Sequence, residues 1–545
     1  MPADWRDFRT TIATLARARA RSKQVQESKL IFDLPGDGST SELKSLLGNQ
    51  WAVEDQGRQE IQRVYFDTFD WRLYNSGSVL EISADNPGYM LTWRMLGNGK
   101  LLAQTSIRRL PQFAKEIVAP GLRQRLEQVL GGRALMQKIS IKSSTRELRV
   151  VNPDRKTLVR IETRQDRALM PHSTESHHLP QTLHLYPLRG FGNIFQKIAT
   201  LLLDHGRLKP AREDPLDSAL AFLRINPGDY NNKPVLHIDP QRPALEALKE
   251  ILDGYRRIMQ QNIKGACENR DPEFLHDFLH AARRTQCLLN HYLTSLPIRS
   301  IDLIRQDFDW IEKLTAPVRN LDIYLGLFDE FLTRVDKDHR QALEPLRGFL
   351  EAEKMQEQRQ MQVPLESPRY RRTMSNWEQI LNTKTPADGL PQEARLPIIQ
   401  LASRGIYGIY LEMIHKGREV ERAITTDGLL ELQCIGKKLG YEMETFASLY
   451  PEEQLKPLLD ALSPLQENLN NYYDMHLQHD SLLEYSQKMK QQRRTMPLWL
   501  EAAEQLAEDR EREERKMQSE FGACYKRIAR KKMRKRVQNL FATGT

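Results

Sequence analysis

A segment near residue 280 carries imidazole, guanidinium and thiol side chains at helical spacing. Counted from His276, the polar residues at offsets 4, 7, 8, 11 and 15 are His280, Arg283, Arg284, Cys287 and His291. At 3.6 residues per turn these offsets fall within an arc of about 100°, so the side chains share one helix face. Arginine matches phosphate oxygens bidentately, and a protonated histidine adds charge as the pH falls toward about 6. The spacing alone favours a solvated basic face with core-packed histidines, and an anion-binding face is the alternative.

The same segment has two histidines at a spacing that some metal sites use. His276 and His280 have the i, i+4 spacing with which zinc proteases place two ligands. Asp277 stands beside the first histidine, but no glutamate takes the general-base position and no third ligand is evident. We therefore predict no metal ligand, no catalytic residue and no cofactor for the chain.

The length and net charge of the chain indicate how many domains it has and what kind of partner it binds. The 545 residues exceed one typical domain, so two or three hydrophobic cores are expected. The 81 basic and 72 acidic side chains leave a net charge of +9, which favours anionic partners. The four scattered cysteines are typical of reduced thiols, and no run of apolar residues reaches the roughly 18 to 20 of a membrane span. A cytoplasmic protein is predicted.

The chain changes character near its middle. Residues 25–225 show short β-branched and aromatic runs broken by turn residues such as Gly97-Asn98-Gly99, which predicts an antiparallel β-barrel. Residues 226–242 are rich in turn formers and are interpreted as a linker. From 243 to 545 apolar residues recur every three or four positions, which predicts an all-α bundle of about ten helices. The chain is thus a multidomain α+β protein, and residues 1–24 form a basic N-terminal extension without an assigned role.

The helical half resembles the CHAD family, the conserved-histidine α-helical domains. The similarity rests on His276 with Arg283-Arg284, on Arg319-Asn320-Leu321-Asp322, on Arg369-Tyr370-Arg371-Arg372, and on Lys437-Lys438-Leu439 with Tyr441-Glu442; Asp474 fits the closing acidic position. The resemblance implies a bundle with internal duplication, whose halves we place at about 243–360 and 365–545. It also implies a basic surface that binds inorganic polyphosphate. The binding residues carried over are His276, His280, Arg283, Arg284, Arg319, Arg369, Arg371, Arg372, Lys437 and Lys438.

Several positions depart from the family pattern. Leu279 and Gln286 replace expected arginines, Leu430 replaces the second-half histidine, and Gln433 and Gly440 replace further arginines. Each lost contact to an exposed phosphate costs on the order of 1 kcal/mol, and counterion release makes the total salt-dependent. The pattern therefore predicts weakened rather than abolished binding.

The first half resembles the CYTH or triphosphate-tunnel family. Glu27-Ser28-Lys29-Leu30-Ile31 resembles its opening strand, and Tyr65-Phe66-Asp67-Thr68 resembles a second conserved segment. Alternate residues of a strand share one face, so the family directs acidic and basic side chains into the tunnel to hold magnesium and triphosphate.

The tunnel motif is incomplete in this sequence. The inward positions are Glu27, Lys29 and Ile31, so one acid has become a base and a lysine has become aliphatic. Glu81 and Ser83 stand where the family has arginines, whereas four arginines that could face the tunnel persist: Arg94, Arg108, Arg146 and Arg160. The sequence favours a barrel kept as a scaffold over an active triphosphatase.

The C-terminal segment is strongly basic. Residues 526–536 include eight lysines and arginines, with apolar residues such as Ile528, Met533 and Val537 between them. It could be the last bundle helix, extend the polyphosphate surface, or contact nucleic acid or an anionic surface nonspecifically.

These patterns lead to one function hypothesis and two alternatives. The hypothesis is a non-catalytic protein that binds inorganic polyphosphate through the helical half, in the cytoplasm or at polyphosphate granules. The alternatives are a metal-dependent triphosphatase of the CYTH type and an interaction scaffold without a ligand.

Overall fold

The computed structural model comprises two compact units, up to Tyr230 and from Asn231. The residues it describes are 30–34, 40–85, 88–97, 99–171, 173–204, 208–210, 214–232, 237–293, 301–335, 337–383, 391–491 and 497–542. The extension 1–24 and the inward positions Glu27 and Lys29 lie outside them. The division falls inside the segment 226–242; its role as a linker stays a prediction. No helix of the described residues is long and apolar enough to cross a membrane.

The first unit is built on one antiparallel sheet. Its strands are β1 (Leu30–Leu34), β2 (Ala52–Asp67), β3 (Ser78–Asp85), β4 (Gly88–Met95), β5 (Leu101–Ile107), β6 (Met136–Val151), β7 (Thr157–Leu169), β8 (Ser176–His178), β9 (Gln181–Pro187) and β10 (Lys209–Pro210). The order is β10-β1-β9-β7-β6-β2-β3-β4-β5, with β8 on β7. The predicted antiparallel architecture is confirmed as an open, barrel-like sheet, in which β5 and β10 are the ends of the path.

Five helices accompany the sheet: α1 (Thr40–Gly48), α2 (Arg72–Asn75), α3 (Pro120–Leu130), α4 (Gly192–Asp204) and α5 (Pro215–Leu223). Leu47 of α1 and Phe195 of α4 pack in one core cluster with Val159, Ile161 and Leu183 of the sheet. Because successive side chains of a strand point to opposite faces, the residues between them belong to the other face. That second face carries the polar residues of the unit.

The strand register brings polar residues of distant segments together on this face. Asp33 of β1 pairs with Thr182 of β9, and Thr182 pairs with Arg164 of β7. Asp166 lies two residues beyond Arg164, so it points to the same side of β7. The order of the strands, rather than their sequence spacing, makes Asp33 and Asp166 neighbours.

The second unit is helical, as the apolar spacing predicts. Its helices are α6 (Ala244–Cys267), α7 (Pro272–Tyr292), α8 (Ile301–Arg334), α9 (Lys337–Leu365), α10 (Pro368–Asn382), α11 (Gln392–Arg395), α12 (Ile398–Arg422), α13 (Thr426–Thr445), α14 (Glu452–Gln491), α15 (Pro497–Ala529) and α16 (Lys531–Val537). The described residues thus form eleven α-helices, against about ten expected. The proposed duplication into two halves stays a prediction.

Side-chain caps determine where the two helices that resemble the family motifs begin. The Asp271 carboxylate accepts hydrogen bonds from the backbone N–H groups of Glu273 and Phe274 at 3.0 and 3.3 Å, and Pro272 occupies the first helical position. Thr425 Oγ1 accepts the N–H of Gly428 at 3.1 Å before α13. Each cap satisfies backbone donors that the first helical turn leaves without a partner.

Glycines let aromatic side chains approach α12 closely. A Cβ atom at Gly405 would stand 2.1 Å from the Tyr292 hydroxyl, and one at Gly417 would stand 2.1 Å from the Tyr525 ring. Tyr292 ends α7, so this contact fixes the distance between α7 and α12. Gly408 lies one turn along the same helix and has nothing within 4 Å of its Cβ position.

We expect Gly405→Ala to destabilise the helical unit by about 1–3 kcal/mol, because the new methyl group overlaps a packed aromatic residue. The matched change Gly408→Ala should be neutral or stabilising by up to about 1 kcal/mol, because alanine is the better helix former. Urea unfolding followed by far-UV circular dichroism measures both. Equal effects of the two substitutions would contradict the predicted close contact.

Candidate functional site

Three helices bring cations to one place in the helical unit. Arg283 comes from α7, Arg319 from α8 and Lys437 from α13, and we call these three residues the basic cluster. Burial lowers the pKa of both Arg319 and Lys437, and the positive charge of Arg283 lowers both further. The common influence of Arg283 means that the three charges lie close enough to repel one another.

Two of these cations have no direct acidic partner. Within the described part of the chain, neither Arg319 nor Lys437 makes a salt bridge or a hydrogen bond through its side chain. Lys437 Nζ lies 5.1 Å from the centre of the Tyr473 ring. Asp322, Glu273 and Asp474 act on Arg319 through space, and Asp474 and Glu312 act on Lys437. Burial raises the pKa of the Asp474 carboxyl group. The positive charge is therefore only partly compensated.

Arg283 is paired on one side only. Its Nε donates to Glu312 Oε1 at 3.0 Å, and its side chain is 34% exposed. A guanidinium group has five N–H donors in a planar fork, so the Glu312 contact leaves donors for an anion. Arg283 can thus bind a phosphate without leaving its carboxylate.

Arg284 lies beneath the cluster rather than on its surface. It is only 5% exposed and forms a salt bridge with Glu444. The guanidinium carbon lies 5.9 Å from the centre of the Tyr255 ring and 5.5 Å from that of Tyr441. The sequence placed Arg284 on the same face as Arg283, but α6 and α13 pack over that part of the face. Its contacts make Arg284 a structural residue of the helix packing.

The two histidines of α7 lie against each other, with their rings tilted by 46°. The centres of the His276 and His280 rings are 4.2 Å apart. Burial, together with the charges of His276, Arg284 and Arg283, lowers the pKa of His280 to about 3. The expectation that protonation adds positive charge as the pH falls toward 6 is therefore wrong for His280. The cause is that this imidazole is buried among cations.

The buried carboxylate of Glu442 in α13 binds side chains of α7. Glu442 of α13 is fully buried, and it accepts a hydrogen bond from the Tyr292 hydroxyl at 2.5 Å. His291 Nδ1 is within hydrogen-bond distance of the same side chain, and Cys287 Sγ donates to it at 3.9 Å. Two residues of the predicted anion-binding face, Cys287 and His291, therefore serve this interhelical network.

The arginines of α10 form separate contacts. Arg369 pairs with Asp307 at 3.4 Å, and its guanidinium carbon lies 4.0 Å from the centre of the Trp310 ring. Arg371 donates to the Glu366 carbonyl oxygen at 3.1 Å, and Arg372 is exposed. None of the contacts given for these three joins them to the basic cluster. Lys438, next to Lys437, is half-buried, and its charge acts on the Cys287 thiol.

The apolar side of the C-terminal basic segment is used in folding. Ile528, Met533, Val537 and Phe541 are buried, and the Phe541 ring lies 5.0 Å from that of Tyr450. The segment closes the helical unit. Its exposed charges remain available to an anion, whereas its apolar residues are not available to a lipid.

In the sheet unit three of the four surviving arginines are paired with carboxylates or aromatic rings, and the fourth, Arg108, is exposed. Arg94 forms salt bridges with Asp214 and with Glu81, the latter at 3.2 Å. Arg146 pairs with Asp55 at 2.6 Å, and Arg160 lies 5.2 Å from the centre of the Tyr186 ring. The described residues bring no three His, Cys, Asp or Glu side chains together as a metal site.

Some residues of the site were not singled out from the sequence. Glu312, Glu444 and Tyr473 contact the cluster or its base, yet each stands in ordinary helical sequence. Asp474 was the exception, because the family resemblance pointed to an acidic residue there. Only the packing of α8, α13 and α14 around α7 identifies the others.

Comparison with known proteins identifies a family model that matches part of the helical unit. Residues 250–483 match the family model of the CHAD domain. None of the curated proteins matches the chain.

Solved structures resemble each part of the chain. The helical part is similar to the CHAD domain from the plant Ricinus communis, with 19% identity over 54% of this chain and 95% of that one, and a TM-score of 0.45. PptA from Streptomyces chartreusis gives 13% identity over 52% and 100% of the two chains, with a TM-score of 0.42. A putative adenylyl cyclase from Hippeastrum, described as having a dominant triphosphatase activity, gives 13% identity over 37% and 99%, with a TM-score of 0.23.

We expect the stability of the helical unit to fall as the pH decreases from 6.5 because of His280. Its pKa is lower in the folded protein, about 3, than the ordinary 6.5, so the unfolded chain takes up the proton first. The stability it contributes is present above pH 6.5 and is lost toward pH 3, by at most about 1.4 kcal/mol per pH unit.

Urea unfolding of the wild type and of His280→Gln between pH 7 and pH 4 measures this effect. The wild type should lose more stability than the variant over this range. The control is His415→Gln, which changes a histidine that is 78% exposed on α12. A His280→Gln profile parallel to that of the wild type would show that His280 is not buried in neutral form.

Proposed function

We propose that this protein binds inorganic polyphosphate through the basic cluster Arg283, Arg319 and Lys437, which lies within the residues 250–483 that match the CHAD family model. The single observation that carries the proposal is the incomplete compensation of these charges. Arg319 and Lys437 are half-buried cations that lack a salt bridge among the described residues, and each is repelled by Arg283. The family resemblance supplies polyphosphate as the polyanion.

Electrostatics favour an anion at this position. Burial removes part of the hydration of a cation, and neighbouring like charges raise its free energy further. An anion bound near Arg283, Arg319 and Lys437 lowers the free energy of these cations. This offsets both the lost hydration and the repulsion between like charges. A linear polyanion offers one phosphate to each cation along its length, so three modest contacts add up.

The cluster suits binding rather than turnover. The proposed role needs only donors and positive charge, and it requires neither a nucleophile nor a general base. The carboxylates near the cluster, Glu312 and Asp474, contact or influence cations and keep them in place. His276 and His280 lie beside the cluster as neighbours of the bound anion, with His280 as a neutral hydrogen-bonding group.

We propose the sheet unit as a non-catalytic companion. Arg94 is already held by Asp214 and Glu81, and Arg146 is held by Asp55. These internal ion pairs occupy the cations that a triphosphate would need. Phosphate release from tripolyphosphate in the presence of magnesium should therefore stay at the level of a protein-free control.

We expect Arg319→Met and Lys437→Met each to weaken polyphosphate binding by about tenfold to a hundredfold. A charge-assisted hydrogen bond contributes about 1.5–3 kcal/mol, and about 1.4 kcal/mol corresponds to a factor of ten. Methionine keeps the apolar stem and removes a partly buried charge, so the fold should not lose stability. Fluorescence anisotropy with labelled long-chain polyphosphate measures the affinity.

The control is Arg404→Met, which removes an exposed arginine from α12. It should change the affinity by less than twofold. The slope of log affinity against log salt should decrease by about one for each cluster residue removed and stay unchanged in the control. If Arg404→Met weakens binding as much as the cluster variants, binding depends on net charge and not on this site.

A further inference from the structure

A cavity in the sheet unit has a chemistry opposite to that of the basic cluster. It has a volume of about 500 Å³ and lies between the polar face of the sheet and α5. Its polar lining consists of Asp33, Asp166, Thr182, His184 and Ser218. The described residues contribute no lysine and no arginine to this lining. Among the lining residues that are described, an anion would meet two carboxylates and neither a lysine nor an arginine.

One of these carboxylates has an oxygen without a partner. Asp166 is only 6% exposed, and its Oδ1 atom makes no hydrogen bond to the described residues. Ser143 donates a hydrogen bond to the same carboxyl group, which leaves Oδ1 as the unused acceptor. A buried carboxylate oxygen without a donor is costly, by the same desolvation that makes unpaired buried polar groups rare. A ligand in the cavity that Asp166 lines would supply the missing hydrogen-bond donor.

The cations near the cavity are already engaged or lie outside its lining. Arg164 and Arg63 both act on Asp166, as does the carboxylate of Glu162. Arg164 donates to Glu162 at 2.7 Å, and Arg63 donates to Ser143 Oγ at 3.3 Å. Lys209 acts on Asp33 from β10 but does not line the cavity. Burial is the main influence on both carboxyl groups and raises their pKa values. Among the described residues, the lining therefore holds two carboxyl groups and neither a lysine nor an arginine.

The rest of the lining is apolar. Leu179, Pro180, Ala221 and Phe222 complete the wall, and Phe222 is 51% exposed. Such a wall suits an alkyl chain, because hydrocarbon that leaves water for an apolar surface gains about 25 cal/mol per Å². A metal ion does not match this site, since the described residues bring no three metal-ligating side chains together.

We propose that this cavity binds an aliphatic diamine or polyamine, with an ammonium group on Asp166 Oδ1 and the alkyl chain along Leu179, Pro180 and Phe222. The ammonium group donates to the unused oxygen, and Asp33 offers a second carboxylate for the other amine. This ligand differs in charge from the polyphosphate proposed for the helical unit. The two proposals rest on separate residues and can fail separately.

Isothermal titration of the full-length protein with 1,5-diaminopentane tests the proposal, with 1,5-pentanediol as the uncharged comparison. We expect saturable binding of one diamine and no saturable binding of the diol. Asp166→Asn should weaken binding at least tenfold. Asp154→Asn, at an exposed position in the turn between β6 and β7, should leave it unchanged.

A second variant keeps the test valid if Asp166→Asn fails to fold. Ala221 lines the cavity from an exposed position of α5, so Ala221→Trp should fill the space and abolish binding without altering the core. Diamine affinity should also rise with pH over the range in which the two carboxyl groups ionise. The proposal is overturned if the diamine does not bind, if Ala221→Trp binds it as the wild type does, or if tripolyphosphate competes with it for this cavity.

Discussion

Repulsion among like charges in a partly buried place is the constraint on which the helical unit depends. Arg283, Arg319 and Lys437 stand on three different helices, and burial and the charge of Arg283 both raise the energy of the charged forms of Arg319 and Lys437. Among the described residues, one direct salt bridge reaches the cluster, from Arg283 to Glu312. Helices that stay packed in spite of such repulsion must be held by other contacts.

Those contacts lie behind the cluster. Glu442 is bound by Tyr292 and His291, and Tyr292 presses against Gly405 of α12. Arg284 adds a second buried link, through Glu444 and the ring of Tyr441. The same two helices, α7 and α13, therefore supply both the repelling residues and the buried network beneath them. The cluster above is only partly compensated, whereas Glu442 and Glu444 below it are paired; Arg284 Nε is a buried donor that makes no hydrogen bond to the described residues.

The sequence predicted which residues share a helix face, but it did not predict which other helices pack against that face. Helical spacing placed Arg283 and Arg284 side by side, but it could not show that α6 and α13 cover one of them and leave the other exposed. The pKa of His280 escaped prediction for the same reason, because it depends on burial and on charges from other turns and helices. In the sheet, the alternation of apolar and polar residues predicted the strands. The order in which these strands pair cannot be derived from residue spacing, and this order places Asp33 and Asp166 in the lining of one cavity.

Asp214 connects an internal ion pair of the tunnel-like sheet to the start of a helix. Its carboxylate pairs with the guanidinium group of Arg94, with Nη2 donating to Oδ1 at 3.2 Å, and also accepts the backbone N–H of Leu216 at 2.9 Å. The second contact caps α5, so the residue that neutralises Arg94 also starts the helix. An incoming phosphate would have to displace a carboxylate whose loss costs both a salt bridge and a helix cap, each of the order of 1 kcal/mol or more. Competition with this internal carboxylate disfavours triphosphate in the sheet unit, while the basic cluster of the helical unit faces no comparable competitor at Arg319 and Lys437 among the residues described.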